Sequence, residues 1–335
     1  MQGAELHKGV IPMLPIRPES TPKAVLLYGL VLVCLILIVL LQLGILGGGS
    51  ESFAILDLRI PKALVALLSG YALGVAGLLI QGLTKNPLAS PSILGMTSGA
   101  ALAVAAGMAS PHQLWGTLTY VSAFLGALVS GALVLMISGW DSAHRDPGRL
   151  ILSGAIVTAL CGSLTQVIIL VNEEMSDHML YWMVGGLGQA QNSQVLPLGV
   201  VLLIGTILAL LYSRRLDIIT ADQNVAWSLG IPVAETKITL ILTSVILVAA
   251  AVAVVGPISF IGFIAPHLAR LLGFRTHKHL IIITGLLGGT LLVAADYASS
   301  LITYPYQSPA GLLTGSIGAL CFLAAVVTRS TKGHL

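Results

Sequence analysis

The chain has 335 residues, 56% of them hydrophobic and 9% charged, with a formal net charge of +3 and a mean hydropathy of +0.97. A soluble domain of this length needs a charged surface that such a composition does not supply, so a soluble globular class is excluded. The small positive balance argues against a nucleic-acid partner and reads as a topology signal.

About 23 polar, proline-rich residues open the chain and read as a flexible arm, residues 1–23. The apolar run Val25–Leu41 follows. It does not alternate apolar with polar residues, so it is no β-barrel strand. In lipid every backbone N–H and C=O needs an internal partner, and a run of this kind becomes a helix. It is too long for a signal-peptide core and lacks a cleavage site, so it reads as retained. A crossing needs ~20 apolar residues. Spans are predicted at 24–46, 60–83, 93–109, 114–138, 150–171, 195–212, 238–255, 258–272, 279–303 and 310–328. The spans at 93–109 and 258–272 are too short or too broken for a plain crossing. The whole reads as an all-α polytopic membrane protein: a single transmembrane permease domain over 24–330 and a tail at 331–335.

With the N-terminus inside, 14 of the 16 lysines and arginines fall on inner segments. Only Arg59 and Lys62 fall outside. That bias puts both termini in the cytoplasm. The outer loop Asn172–His178 is acidic, and Tyr181 and Trp182 after it suit the membrane interface.

Asn86-Pro87 and Ser90-Pro91 break the chain between the second and third spans. They make either an ordinary loop or a functional turn. In Gly256-Pro257-Ile-Ser-Phe-Ile-Gly262-Phe-Ile-Ala-Pro266-His267, two prolines and two glycines interrupt an apolar run, so a helix here is short and broken. His267 is a hydrogen-bonded structural residue ahead of a ligand or proton carrier. The longest inner loop, 213–237, contains a candidate short helix capped by Thr220 or Asp222. Val225, Ala226 and Leu229 give it one apolar edge, Trp227 is a candidate anchor, and Gly230 ends it with Pro232 beyond. A helix of that kind suits docking into a partner's groove.

No G-x-x-x-x-G-K-[ST] phosphate loop, H-E-x-x-H or G-x-S-x-G motif occurs. Cys34, Cys161 and Cys321 sit within apolar spans without metal or redox spacing. No catalytic residue and no metal site is expected. Asp296 is the one carboxylate within a span, thin support for an ion- or proton-coupled carrier. Active transport then draws its energy from another subunit. A membrane enzyme or scaffold is the third reading.

Together these segments resemble the FecCD family, the membrane subunits of type II ABC importers for iron–siderophores, haem and cobalamin. Residues 50 to 330 carry the resemblance. Its markers are Arg59-Ile-Pro-Lys62, Gln81 with Asn86-Pro87-Leu88-Ala89, Ser228-Leu229-Gly230-Ile231, and Gly256-Pro257 with Gly262 and Pro266-His267. Asp296 and Pro309-Ala-Gly311 fit as well. The resemblance implies ten helices per subunit, a two-fold homodimer with the substrate path on its axis, and an inverted pairing of spans two to five with seven to ten. It also implies two cytoplasmic ABC ATPase subunits, an extracytoplasmic substrate-binding protein and a place in the bacterial inner membrane. ATP and Mg belong to the ATPase; this chain binds no cofactor. By the same resemblance Asp222, Val225, Ala226, Trp227, Leu229 and Gly230 form the ATPase contact. Arg59 and Lys62 receive the binding protein, with Ser300 where the family often has a third basic residue. Asn86, Pro87, Gly256, Pro257, Pro266 and His267 lie along the path or gate, and the gate turn falls at Pro147-Gly148, without hydroxyls.

Overall fold

A computed structural model describes residues 21–43, 53–110, 117–139, 147–172, 176–188, 190–303 and 309–332. Among them every regular element is helical: α1 (Thr21–Gln42), α2 (Phe53–Thr84), α3 (Met96–Met108), α4 (Thr117–Ser138), α5 (Pro147–Val171), α6 (Ser176–Val184), α7 (Asn192–Ala221), α8 (Gln223–Ser228), α9 (Val233–Val255), α10 (Ile261–Leu271), α11 (His277–Ile302) and α12 (Ala310–Lys332). A single 3-10 turn, Pro91–Leu94, leads into α3. Seven helices are long and apolar enough to cross a membrane, and α3, α10 and the described part of α12 are shorter apolar helices. All ten expected spans therefore appear as helices. Most of the expected arm lies outside the described residues, but Thr21–Lys23 already belong to α1. Likewise Thr331 and Lys332 end α12 rather than forming a tail.

α2 is the central helix, with Val65, Ala66, Val75, Leu78 and Leu79 wholly buried. It packs on α11, α9, α10 and α7. Its fit to α11 rests on small residues four apart, which let backbones touch. A Cβ added at Gly70 would collide with the Gly288 carbonyl, and one at Gly74 would stand 2.7 Å from the Thr284 carbonyl oxygen. Gly77 meets Gly262 of α10 in the same way.

The packing is reciprocal. α2 opens one group of four helices and α9 opens another, and in each group the second helix is short (α3, α10). α2 packs on α11, the third helix of the other group; α9 packs on α4, the third of its opposite; and the two leading helices pack on each other. Lys85, just past the end of α2, lies near enough to Lys237, in the first turns of α9, for their charges to interact, so these helices run antiparallel. An inverted pairing gives this arrangement.

The expected loop 213–237 is largely helix. α7 does not stop near 212 but continues to Ala221. Ser213, Leu216 and Ile219 repeat at helical spacing and are buried, while Arg215 lies over the Tyr212 ring at 5.1 Å. Only Asp222–Pro232 connects α7 to α9, and α8 occupies most of that. α6 is a second departure: Ser176–Val184 is a helix rather than loop, and Trp182 packs against the core.

Candidate functional site

The sequence around α8 fixes both its ends. Asp222 Oδ1 accepts hydrogen bonds from the backbone N–H of Asn224 at 2.7 Å and of Val225 at 3.4 Å. Asp222 is thus the N-cap, and Thr220 instead bonds back to the Leu216 and Asp217 carbonyls within α7. At the other end Ile231 N–H donates to the Ala226 carbonyl and Gly230 N–H to the Trp227 carbonyl, a Schellman closure with Gly230 at φ +72°. Ala226 departs from the expected apolar edge: it is buried against Ile219 and Val233 and roots the helix. The outward apolar residues are Val225, Trp227 and Leu229, 50%, 56% and 63% exposed. Lys237 Nζ donates to Gln223 Oε1 at 2.9 Å, tying the start of α8 to α9.

Under α8 the helix ends are fastened by polar contacts. His277, the first residue of α11, is bonded to Asp217 of α7 through its ring Nδ1 at 2.5 Å and its backbone N–H at 2.9 Å. Arg270 of α10 donates to Gln81 Oε1 of α2 at 2.7 Å. The Asn86-Pro87 turn closes nearby: Leu88 N–H donates to Asn86 Oδ1 at 2.9 Å, an Asx turn. Gln81, Lys85, Pro87, Thr220, Arg270 and Arg275 share a recess of ≈ 400 Å³. The Asn86-Pro87 turn and the ends of α7 and α10 are therefore neighbours. His267 lies one turn along α10 from Phe263, ring planes 12° apart, and Pro266 is buried within the helix.

The opposite end of α2 holds a buried charge pair. Lys62 Nζ stands 2.9 Å from Asp296 Oδ2, and Gln42 Nε2 donates to the same oxygen at 2.7 Å. Lys62, expected at the docking face, is thus engaged by Asp296 while its side chain stays 21% exposed. Arg59, one turn earlier, is partly exposed. The Ser300 hydroxyl bonds back to the Tyr297 carbonyl.

Gly256 and Pro257 belong to a third cluster. Gly256, at φ +72° and ψ −168°, caps α9, and a Cβ there would stand 2.7 Å from the Trp182 carbonyl oxygen. Gly186 N–H donates to the Val255 carbonyl and Gly311 N–H to the Gly185 carbonyl. Backbone contacts thus join the ends of α6, α9 and α12.

Pro147 and Gly148 start α5. Residues 140–146, before them, lie outside the described residues. α5 is among the least buried of the membrane-capable helices. One face exposes Ala155, Ala159, Ser163 and Gln166; on α12, Ser316 and Ala319 are exposed too. Polar side chains facing outward on a membrane helix need water or another protein surface. This face was not singled out from the sequence. Its signal was there: small or polar residues at spacings of four, four and three.

The fold and these sites define a polytopic transport permease. Residues 23–328 match the FecCD transport family. The Fe(3+)-citrate import system permease protein YfmD of Bacillus subtilis is 38% identical over 280 residues, spanning 82% of each chain. The hemin transport system permease protein HmuU of Yersinia pestis is 36% identical over 316 residues, 88% of this chain and 94% of that one. A solved inward-facing structure of metal-chelate ABC transporter type superposes with a TM-score of 0.80 at 29% identity, over 92% of this chain and 99% of that one. The chain belongs to the FecCD transport family. It is a transport permease of the ABC importer type and not an enzyme.

Proposed function

We propose that this permease carries a ferric chelate, a siderophore ahead of haem or cobalamin, inward across a bacterial cytoplasmic membrane, with both termini in the cytoplasm. Relatives named for Fe(3+)-citrate, hemin and ferric enterobactin support the cargo class. Two copies meet through α5 and α12, whose small and polar faces line the path between them. Separate ABC ATPases, holding ATP and Mg, drive the cycle, and an extracytoplasmic binding protein delivers cargo to the face that carries Arg59.

One observation carries the ATPase contact. α8 is capped at both ends, rooted by Ala226, and raises Val225, Trp227 and Leu229 clear of the bundle. Apolar side chains grouped on a short helix outside the bilayer call for a protein groove. Asp222 and Gly230 set the helix's length; Val225, Trp227 and Leu229 make the contact. The test is ATPase co-purification and ATP-driven chelate uptake in proteoliposomes carrying Leu229→Asp. Loss of either supports the contact; wild-type levels of both place it elsewhere.

The ion-coupled reading loses its motive, because the carboxylate it relied on, Asp296, is engaged by Lys62 and Gln42.

A further inference from the structure

The recess of ≈ 400 Å³ beside α8 carries a charge that the apolar α8 contact does not use. Lys85, Arg270 and Arg275 line it together with Gln81, Thr220 and His277, and among the described residues no carboxylate does. Asp217 is bound by His277 through the ring Nδ1 and the backbone N–H. Gly82 keeps the space open: a Cβ there would stand 3.2 Å from His277 Nε2 and 3.5 Å from the Leu216 methyls.

Two of the cations are set in place by their surroundings. Arg270 Nη1 donates to Gln81 Oε1 at 2.7 Å, and Gln81 is itself buried and donates from Nε2 to the Gly262 carbonyl at 3.4 Å. That bond orients the planar guanidinium at the wall of the recess. Lys85 follows the last residue of α2 and is exposed, with φ at +51°. Glycine takes this left-handed conformation freely and other residues resist it. A lysine in a strained turn at the mouth of a cavity marks a position where the charge has a use.

Position narrows the anion. The walls are the last turns of α2, α7 and α10 and the first of α11. The cavity therefore opens past the helix ends, toward water, and not between helix flanks where lipid chains lie. It also adjoins α8. Thr220 comes just before the N-cap Asp222. Lys237, near enough to Lys85 for their charges to interact, donates to Gln223 at the start of α8. A protein seated on α8 thus brings its own surface over the mouth, and complementary charge there fixes its register. Building on the reading of α8 as the ATPase contact, we propose that an aspartate or glutamate side chain of the ATPase enters this recess and pairs with Lys85 and Arg270.

Carbodiimide cross-linking of the detergent-solubilised complex of full-length permease and ATPase reads the pair directly, because it joins an amine to a carboxylate only where the two touch. Mass spectrometry of the digested complex is expected to find Lys85 in amide linkage to an ATPase aspartate or glutamate. Lys85→Arg is the blank, since a guanidinium does not form the amide. Lys85→Glu is expected to weaken ATPase binding roughly ten-fold at low ionic strength and less at high salt. An intact wild-type complex in which Lys85 joins no ATPase carboxylate overturns the proposal, and that result needs no variant to fold. Wild-type affinity in Lys85→Glu overturns it as well. Failure of the α8 reading looks different: Leu229→Asp then keeps the ATPase, and the Lys85 cross-link persists. A wild type that retains no ATPase overturns both. Phosphatidylglycerol that co-purifies with the wild type and is lost from Lys85→Glu, with no cross-link, assigns the recess to a lipid headgroup and overturns the proposal too.

Discussion

His277 and Asp296 stand at opposite ends of α11, about 28 Å apart along its axis, and each fastens a different helix to it. His277 holds Asp217 of α7, the helix that leads into α8. Asp296 holds Lys62 of α2 and Gln42 of α1. One helix thus links the root of the projecting element at one end to a buried charge pair at the other.

Breaking that pair from one side leaves a charge buried without its partner. Lys62→Met is expected to destabilise the permease by ~3–5 kcal/mol, and Lys62→Met with Asp296→Leu to recover most of the loss. Thermal unfolding in detergent measures both. A single variant no worse than the double one assigns the pair no structural role. Arg59→Glu is the cleaner probe of binding-protein docking; it is expected to weaken docking at low ionic strength and to matter less at high salt.

The α8 contact predicts a graded series. Leu229→Asp puts a carboxylate into an apolar groove at ~2–5 kcal/mol, enough to detach the ATPase. Gly230→Val strains the closing turn, where φ is +72°, by about 1–2 kcal/mol per residue forced left-handed, and loosens the coupling without abolishing it. Asp222→Ala removes the cap at ~1 kcal/mol. ATPase retention should fall in the order Asp222→Ala, Gly230→Val, Leu229→Asp; a flat series means the helix is not the contact.

Much of this was legible in the sequence because the signals were local. Asp222 before a short apolar stretch and Gly230 after it are punctuation that any helix needs, and both stand where expected. The broken run at 256–267 gave α10 its short length. What escaped was the product of distance or direction. Lys62 and Asp296 are far apart in the chain, and nothing beside either residue announces the other. Ala226 looked like one member of an apolar edge, but only the packing of α8 on Ile219 and Val233 decides which members of that edge face inward. The span expected at 195–212 belongs to a helix that continues to Ala221, because burial of Ser213, Leu216 and Ile219 depends on distant helices rather than on local sequence.

Glycine positions separate packing from path. Gly70→Val forces a side chain into the Gly288 backbone and should cost ~3 kcal/mol or more, preventing stable insertion. Gly162 on α5 has nothing within 4 Å of an added Cβ. Gly162→Leu should therefore leave the subunit folded while reducing chelate uptake, since it narrows the face proposed to line the path. Unfolding of Gly162→Leu, or full uptake by it, removes α5 from that role.

Orientation has a direct test. Cysteines at Glu174, outside the described residues, and at Gln223 on α8 should react with a membrane-impermeant maleimide from opposite sides of inverted and right-side-out vesicles. Labelling of both sites from the same side would sink the ten-span topology, in which an odd number of crossings precedes Glu174 and an even number precedes Gln223.

The bare contact between α2 and α11 also restricts how the molecule can move. Sliding helices need a layer of side chains that can change rotamer, and at Gly70 and Gly288 there is none: carbonyl meets backbone. These two helices therefore travel as a stiff spindle, and shape change is left to helices with looser neighbours, α5 and α12 foremost. Spin labels placed on α2 and α11 should keep one separation through the nucleotide cycle while labels on α5 do not; a changing α2–α11 distance would mean that the spindle itself flexes.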